Sequence, residues 1–309
     1  MLVKIHEDSN LSQLLVNIKS NYSFKAIAIR ITGTNGVTPV TLDDIGRVVY
    51  MKKGITLIDC AFEYFTAIDD LIAGTPDITS TASGALDFYI IIPRRYGDKN
   101  VEHVSASDNA QISINFKSTL ASRVASGGKV EVYLDCEDGI QKYDLMFKQY
   151  SKSVAGESIP HVAIEQDNII AVYLTEYLSN VLTLASTNLT AVQGNMGHMN
   201  INASMGALID DTTLKYNIEQ TPDDIKAVSI FKAEGDITSG LIDGLTFNVT
   251  CGAASTFELC IVSMSFDPSK IDKSIMAQQT RINTQLQSKM ARGKVNDVAS
   301  IRKIATRVG

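Results

Sequence analysis

The chain has 309 residues, of which 45% are hydrophobic and 20% charged, and its formal net charge is −6. This length is sufficient for two domains, and 20 glycines and six prolines exclude a collagen-like or disordered chain. The longest uninterrupted apolar runs, such as Tyr89–Pro93, are too short to span a bilayer. Met1–Asp8 also lacks the apolar core of a signal peptide. We therefore expect a globular protein made in the cytoplasm.

The first segment has an apolar repeat at helical spacing. Positions i, i+3, i+4 and i+7 of Asn10–Ser20 are occupied by Leu11, Leu14, Leu15 and Ile18, which predicts a short amphipathic helix. Residues 1–21 are therefore expected to form an N-terminal helical arm. Its apolar stripe needs a partner, which could be the body of the protein, a neighbouring subunit or a membrane.

From Tyr22 the apolar pattern changes to a period of two, which is typical of half-buried strands. The segment Phe62–Ala73 is the exception, because its apolar residues share one face of a helix. Further strand-like runs are Arg47–Met51, Ile55–Cys60, Leu86–Ile92, Gln111–Phe116, Lys129–Leu134 and Tyr143–Phe147.

A polar segment, residues 151–158, is predicted to be a linker near the middle of the chain. The second half repeats the style of the first, with strands about 10 residues apart, as in sandwiches and barrels. Its strand-like runs are His161–Ile164, Ile169–Leu174, Leu182–Ala185, Leu189–Gln193, Leu214–Ile218, Val228–Phe231, Leu245–Thr250 and Phe257–Phe266. We expect an all-β protein of two tandem antiparallel jelly-roll β-sandwiches, residues 22–150 and 159–266, with inter-sheet loops at Val101–Asn109 and Asn195–Asp211.

The last 43 residues differ in charge from the rest. Residues 267–309 carry nine Lys or Arg and three Asp, whereas the first 266 residues have a net charge of −12. Apolar residues recur at helical spacing, so we predict a basic helical tail. It could dock on the acidic body, bind nucleic acid or anionic lipid headgroups, or contact a neighbouring copy or a minor protein. Sequence-specific nucleic-acid binding is not expected, because the tail has no aromatic residue for stacking. Its candidate membrane-facing residues are Lys289, Arg292, Lys294, Arg302, Lys303 and Arg307.

Motifs for catalysis or cofactor binding are absent from the sequence. It contains no GxxxxGK[ST], GxGxxG, GxSxG or HExxH motif. The four cysteines form no CxxC pair, and we expect them to be buried and reduced. The acidic segment Asp135–Gly139 is the best candidate for a calcium site, although solvated turns account equally well for such residues. We predict no catalytic residue, no cofactor and no metal site.

The order of the predicted elements in the first half resembles that of a known protein family. The strand Phe24–Thr32 is followed by the turn Gly33–Gly36, the strand pair Val48–Cys60, the helix Phe62–Ala73 and the strand Leu86–Arg94. In architecture, residues 22–266 resemble the double jelly-roll major capsid proteins of tailless icosahedral viruses with an internal membrane. The chain is most similar to corticovirus-like capsid proteins and to the capsid protein of the lipid-containing phage infecting Flavobacterium.

The resemblance implies a structural protein of a bacteriophage virion, made in the host cytoplasm. Three chains would form a homotrimer, whose six sandwiches make a pseudo-hexagonal capsomer of an icosahedral shell around a lipid membrane. The expected partners are neighbouring capsomers, minor capsid or penton proteins, and anionic lipid headgroups facing the basic tail. The stripe Leu11, Leu14, Leu15 and Ile18 would reach under a neighbouring capsomer.

Two other classes of protein remain open on the sequence alone. A phage spike or lectin-like glycan-binding protein would expose aromatic residues in long loops, such as Tyr96 beside Arg94 and Arg95. The simpler interpretation of those two arginines is that they are solvated charges at the end of a strand. A glycan hydrolase would need two acidic residues in a cleft, with their carboxyl groups about 5–10 Å apart.

Overall fold

A computed structural model describes residues 1–40, 44, 46–61, 82–95, 100–176, 187–196, 199–215, 227–232 and 243–265. Over these residues the chain forms seventeen strands, numbered in chain order, and two α-helices, Ser118–Arg123 and Met205–Lys215. The strands are β1 Leu2–Asp8, β2 Gln13–Asn17, β3 Tyr22–Asn35, β4 Arg47–Lys52, β5 Ile55–Ala61, β6 Ala85–Pro93, β7 Glu102–Val104, β8 Gln111–Asn115, β9 Val124–Cys136, β10 Asp144–Val154, β11 His161–Ile164, β12 Ile169–Glu176, β13 Leu189–Met196, β14 Met199–Ser204, β15 Val228–Lys232, β16 Leu245–Cys251 and β17 Ser255–Ser265.

The strands form three sheets. The outer sheet has the order β1-β9-β3-β6, with β7 pairing the start of β3. The long sheet has the order β15-β12-β17-β10-β5-β4-β8-β2, and the small sheet has the order β11-β16-β13-β14. All pairs are antiparallel except that of β10 with β5.

The two halves of the chain repeat one strand order. In the first half, β1-β9-β3-β6 of the outer sheet accompanies β5-β4-β8-β2 of the long sheet. In the second half, β10-β17-β12-β15 of the long sheet accompanies β14-β13-β16-β11 of the small sheet. Each group has eight strand positions in the same sequence, which is the jelly-roll order. We call β1–β9 the first sandwich and β10–β17 the second, and the double jelly-roll class predicted from the sequence is confirmed.

The core follows from side-chain alternation along the strands. Ile27, Ile29 and Ile31 of β3 are fully buried, as the period of two predicted. In β12 every residue from Ile169 to Glu176 is buried, so both faces of this strand are covered.

The N-terminal helical arm predicted from the sequence is wrong. Residues 2–8 form β1 in the outer sheet, and Gln13–Asn17 form β2 at the edge of the long sheet. Leu14 and Ile18 are buried with Val16 between them, whereas Leu15 is exposed. The residues therefore alternate in a strand, and long-range pairing of β2 with β8 overrides the local helical pattern. Residues 1–21 supply the first two strands of a sandwich.

Other boundaries also differ from the sequence-based prediction. Ser151–Val154, expected in a linker, are the end of β10 and pair with β17. The step from the first sandwich to the second lies between β9 and β10, at residues 137–143. The segment Asn195–Asp211, expected to be a loop, contains β14 and most of a helix. Leu214 and Lys215, expected in a strand, end that helix.

Three predicted elements lie outside the described residues. They are the helix Phe62–Ala73, the strand Leu182–Ala185 and the basic tail 267–309. The six candidate basic residues of the tail belong to this part of the chain.

Candidate functional sites

The first site is a buried ionic cluster at one end of the first sandwich, which we call the junction cluster. It consists of Lys52 at the end of β4, Arg94 after β6, Glu102 at the start of β7 and Asp144 at the start of β10. Lys52 Nζ lies 2.5 Å from Glu102 Oε1 and 2.6 Å from Asp144 Oδ1. Arg94 Nη2 donates to Glu102 Oε2 at 2.8 Å. Arg94 and Glu102 are 0% exposed.

Charge and burial oppose each other in the junction cluster. Burial acts to raise the pKa of Glu102, but the nearby charges of Arg94 and Lys52 outweigh it and hold that pKa below its usual value. Tyr50 adds two contacts, because its hydroxyl is 3.3 Å from Glu102 Oε1 and its ring lies under the Arg94 guanidinium at 5.1 Å. Burial raises the pKa of Tyr50 well above its usual value, so the hydroxyl stays protonated and can donate to Glu102.

A buried amide fixes the segment between the sandwiches beside this cluster. Asn100 Nδ2 donates to the carbonyl oxygens of Arg94 and Tyr143 at 3.3 and 3.2 Å. Asn100 Oδ1 accepts from the backbone N–H of Lys142 at 2.7 Å and of Tyr143 at 3.3 Å. One side chain therefore anchors the inter-sandwich segment to the end of β6.

Gln141 and His103 extend this anchoring. Gln141 Nε2 donates to Asp144 Oδ1 at 2.5 Å, and Gln141 Oε1 accepts from the backbone N–H of His103 at 3.2 Å. The His103 ring nitrogen Nε2 is 3.0 Å from the carbonyl oxygen of Gly139. These contacts join both sheets of the first sandwich to the start of the second, which makes the junction suited to fixing the angle between the two sandwiches.

Sequence reasoning missed the junction cluster. Arg94 was interpreted as solvated charge, and that is wrong, whereas Arg95 is about one-third exposed and pairs with Glu137 at 3.3 Å. The signal was available, because Arg94 continues the inward-facing series of Ile90 and Ile92. An inward arginine predicts a buried carboxylate, but no local pattern identifies Glu102 as that partner.

The second site is the outward face of the outer sheet. Six charged side chains of alternating sign cross four strands on this face, and we call them the ion row: Lys129, Glu7, Lys4, Glu131, Arg30 and Asp87. Successive members are 2.7 to 3.2 Å apart.

The ion row lowers the pKa values of its carboxyl groups. Hydrogen bonds from Lys129 and Lys4 lower the pKa of Glu7 to about 2. A hydrogen bond from Lys4 and the contacts of Tyr133 and Arg30 likewise lower the pKa of Glu131. The row is therefore charged at neutral pH and has no net charge.

Aromatic and aliphatic side chains flank the ion row on the same face. The rings of Tyr89 and Tyr133 have centroids 6.4 Å apart, and the Arg30 guanidinium lies 5.3 Å from the Tyr89 centroid. Ile91 and Leu2 are exposed beside them. This face therefore exposes apolar side chains beside charges that are already paired.

The acidic segment Asp135–Gly139 is paired with cations. Lys25 Nζ lies 3.3 Å from Asp135 Oδ2 and 3.2 Å from Glu137 Oε2. Within the described ranges, no group of three His, Cys, Asp or Glu residues could hold a metal ion. Asp135 lies in β9, so the carboxylates of Asp135 and Glu137 are ion-pair partners of Lys25 at the end of a strand.

The four cysteines are free thiols in this structure. Cys60, Cys251 and Cys260 are buried and Cys136 is partly exposed. Burial, then a hydrogen bond with Cys260, raises the pKa of Cys60 well above its usual value. Reactive thiolate chemistry is thus disfavoured at Cys60.

Helices in the described part of the chain are too short or too polar to cross a membrane. The remaining candidate residues from the sequence do not come together as one surface. Leu14 and Ile18 are buried within the first sandwich, Leu15 is exposed at the edge strand β2, and Leu11 is partly exposed. Leu11 packs near Gly128, since a Cβ added there would lie 2.7 Å from Leu11 Cδ1.

Comparisons with known proteins identify the fold. The sequence matches no family model and no curated protein. The solved major capsid protein of the Sulfolobus turreted icosahedral virus aligns with a TM-score of 0.62 and 13% identity, covering 86% of this chain and 96% of that chain. The major capsid protein of bacteriophage PM2 aligns with a TM-score of 0.57 and 12% identity, covering 86% and 97% of the two chains.

A third structure extends the comparison to another virus. The PBCV-1 protein VP54, which was fitted into a reconstruction of the virophage Sputnik, aligns with a TM-score of 0.57 and 9% identity. The alignment covers 85% of this chain and 92% of that chain. These likenesses span nearly whole chains, and they show that this protein has the double jelly-roll fold of viral major capsid proteins.

Proposed function

We propose that this protein is the major capsid protein of an icosahedral virus, and that it is a structural protein with no enzymatic activity. The observation that carries this proposal is the repeat of one eight-stranded sandwich, with the same strand order, joined edge to edge within one chain. Three such chains supply six equivalent sandwiches, which is what a nearly hexagonal capsomer requires. The three structural neighbours described above are viral capsid proteins.

The junction gives this role a physical basis. The junction cluster and Asn100 hold the inter-sandwich segment with buried bonds, so the two sandwiches would keep a fixed angle in a capsomer. Buried charged hydrogen bonds of this kind specify one geometry, because any shift leaves a charge without its partner.

The direct test is the mass of the purified protein in solution. Light scattering after size exclusion should give a species of three times 33.6 kDa at low and high salt. Electron microscopy should then show closed shells or sheets of hexagonal tiles at high concentration. A species that stays at 33.6 kDa at all concentrations and salt conditions would contradict the proposal.

A contact with an inner membrane is a further part of the proposal. Its support is the charge asymmetry of the sequence, with a basic, weakly amphipathic tail on an acidic chain. The full chain should sediment with vesicles containing anionic lipid at low salt, and a chain lacking residues 268–309 should not. Unchanged sedimentation of the truncated chain would remove the tail from this role. Capsomer contacts with minor capsid or penton proteins follow from the same proposal.

The alternative of a spike or lectin-like protein gains no support from the comparisons. The hydrolase interpretation likewise gains no support, because the matched capsid proteins are structural proteins.

A further inference from the structure

We propose that the free edge of β1 binds the free edge of β14 from a second copy of this chain, in parallel and head to tail. The proposal deepens the proposed capsomer role, on which it rests, by naming the strands and the register that join one subunit to the next. Its basis is the joint that the chain already forms between its own two sandwiches.

The internal joint is a short parallel pairing of β5 with β10. Phe147 pairs with Ile58, and Lys148 pairs with Asp59. The Ala61 backbone N–H also donates to Gln149 Oε1 at 2.9 Å. In the repeated strand order, β5 occupies the same position in the first sandwich as β14 does in the second, and β1 occupies the same position as β10. The counterpart of the internal joint is therefore β14 beside β1.

The register of β1 follows from an irregularity that both sandwiches share. The pairing of β3 with β9 skips between Phe24 and Ala26, and that of β12 with β17 skips between Ile169 and Ala171. Superimposing these two bulges makes Asp135 equivalent to Val262, because each pairs with the alanine after its bulge.

The neighbouring strands, β1 beside Asp135 and β10 beside Val262, then show which residue of β1 is equivalent to which residue of β10. Leu2 pairs with Asp135, and Phe147 pairs with Val262. Leu2 therefore corresponds to Phe147, and Val3 corresponds to Lys148.

The register of β14 follows from its hairpin with β13. The pairs Lys52 with Ile55 and Met196 with Met199 each close a hairpin at the same position of the repeat. Two pairs further along β4 and β13, Tyr50 pairs with Ile58, past a bulge that adds one residue to β5, and Gly194 pairs with Ile201. Ile201 is thus equivalent to Ile58, so the predicted contact places Leu2 of one copy beside Ile201 of the other.

The equivalent residues Phe147 and Leu2 differ in exposure. Phe147 is 1% exposed inside the internal joint, whereas Leu2 is 54% exposed at the edge of the outer sheet. Among the described strands, none pairs with the far side of β1 or of β14. An open edge is a template for strand addition. The edges of β1 and β14 are the counterparts of the edges of β10 and β5, which cover each other in the internal joint.

We assign a second copy as the partner because, in the internal joint, an edge strand of one sandwich already pairs with an edge strand of the other. The contact joins two different surfaces, so it is heterologous and propagates from copy to copy. A ring of three copies closes it and gives six sandwiches joined by six equivalent edges.

Disulfide cross-linking of the full chain tests the register. Adjacent strands are about 4.8 Å apart, which lies within the Cα separation of about 4.4–6.8 Å that a disulfide needs. In a Cys136→Ser background, which removes the thiol next to the start of β1, the double variant Leu2→Cys/Ile201→Cys should oxidise to covalent dimers and trimers. The largest covalent species should be three times 33.6 kDa.

Single variants and an off-register pair provide the controls. Leu2→Cys alone and Ile201→Cys alone should stay monomeric under denaturing conditions, and Glu7→Cys/Ile201→Cys should cross-link far less. Trimers by light scattering that show no Leu2–Ile201 cross-link would overturn this inference and leave the capsomer proposal intact. Dimers from Leu2→Cys alone would indicate a two-fold contact and also overturn it. A protein that forms no trimer would remove both.

A charge substitution gives a second readout that does not depend on oxidation. Leu2→Asp should shift the trimer to monomer by light scattering, because it buries a carboxylate beside Ile201 of the neighbour. The fold of the monomer should be retained, since Leu2 is exposed in the single chain. The matched control is Val37→Asp, which changes a 90% exposed residue outside the strands and should leave the trimer unchanged. A trimer that persists with Leu2→Asp would contradict the inference.

Discussion

Two glutamates have the same set of partners, but the cations of one are buried and those of the other are exposed. Glu102 is contacted by Lys52, Arg94 and the hydroxyl of Tyr50. Glu131 is contacted by a lysine, an arginine and a tyrosine hydroxyl in the same way: Lys4, Arg30 and Tyr133. The cations of the first set are at most 4% exposed, whereas those of the second are 45% and 29% exposed.

This difference in exposure indicates which ionic contacts stabilise the fold. Water screens the ion row, so the loss of one of its pairs is largely compensated by solvation of the remaining charge. Arg94 and Glu102 are both fully buried, so the loss of Glu102 leaves Arg94 charged and without solvation. We therefore assign rigidity to the junction and surface complementarity to the ion row.

The largest expected effect is that of Glu102→Gln. It should lower the free energy of unfolding by about 3–5 kcal/mol, because it leaves buried cations without a full counter-charge. The matched variant Glu131→Gln removes a carboxylate with the same kinds of partner and should cost less, because water can solvate Lys4 and Arg30 once the carboxylate is gone. Urea unfolding of both variants measures the difference. Equal losses would show that burial does not separate the two sites.

Acid should reduce the difference in the free energy of unfolding between the wild type and Glu102→Gln. Because the pKa of Glu102 is lowered in the folded protein, its ionisation stabilises the fold above its unfolded pKa of about 4.5, and this contribution is lost as the pH falls through the folded pKa. The gap between the wild type and Glu102→Gln should therefore be constant above about pH 5 and narrow below pH 4.5. Urea unfolding from pH 3 to pH 7 provides the measurement. A gap that widens in acid would contradict the assignment.

The next expected effect is that of Asn100→Asp, which tests the junction without changing its cations. The substitution keeps the acceptor for Lys142 and removes the donor to the carbonyl oxygens of Arg94 and Tyr143. The free energy of unfolding should fall by about 1–3 kcal/mol. Asn17→Asp is the control, because Asn17 is exposed and only accepts from Gln111. A neutral Asn100→Asp would show that the anchor is dispensable.

How much was predictable from the sequence differs between the two sites. The period of two in β3 predicted its buried isoleucines, because alternation is a local property of the chain. The same rule failed at β2, where leucines at helical spacing form a strand through pairing with a segment about 95 residues away. The junction cluster joins Lys52, Arg94 and Asp144, so its composition depends on topology that no local pattern contains.

The ion row was also outside the reach of sequence reasoning. Its members come from four strands, and Glu7 meets Lys129 only because β1 lies beside β9. Once the strand order is known, however, the cross-strand pairs follow from the register. The double jelly-roll class could be recognised from strand spacing, whereas its first two strands and its sites required the fold.

The smallest expected effect is that of Asp87→Asn in the ion row. Arg30 donates to both carboxylate oxygens of Asp87, at 2.8 and 2.7 Å, but Asp87 is half exposed. The free energy of unfolding should fall by less than about 1 kcal/mol, and about 1 M salt should remove most of that loss, because ions screen an exposed pair. The same salt should leave the loss caused by Glu102→Gln nearly unchanged, since a buried pair is screened far less. Urea unfolding at two salt concentrations measures both, and an Asp87→Asn loss that salt does not change would place this pair with the junction cluster instead of the surface.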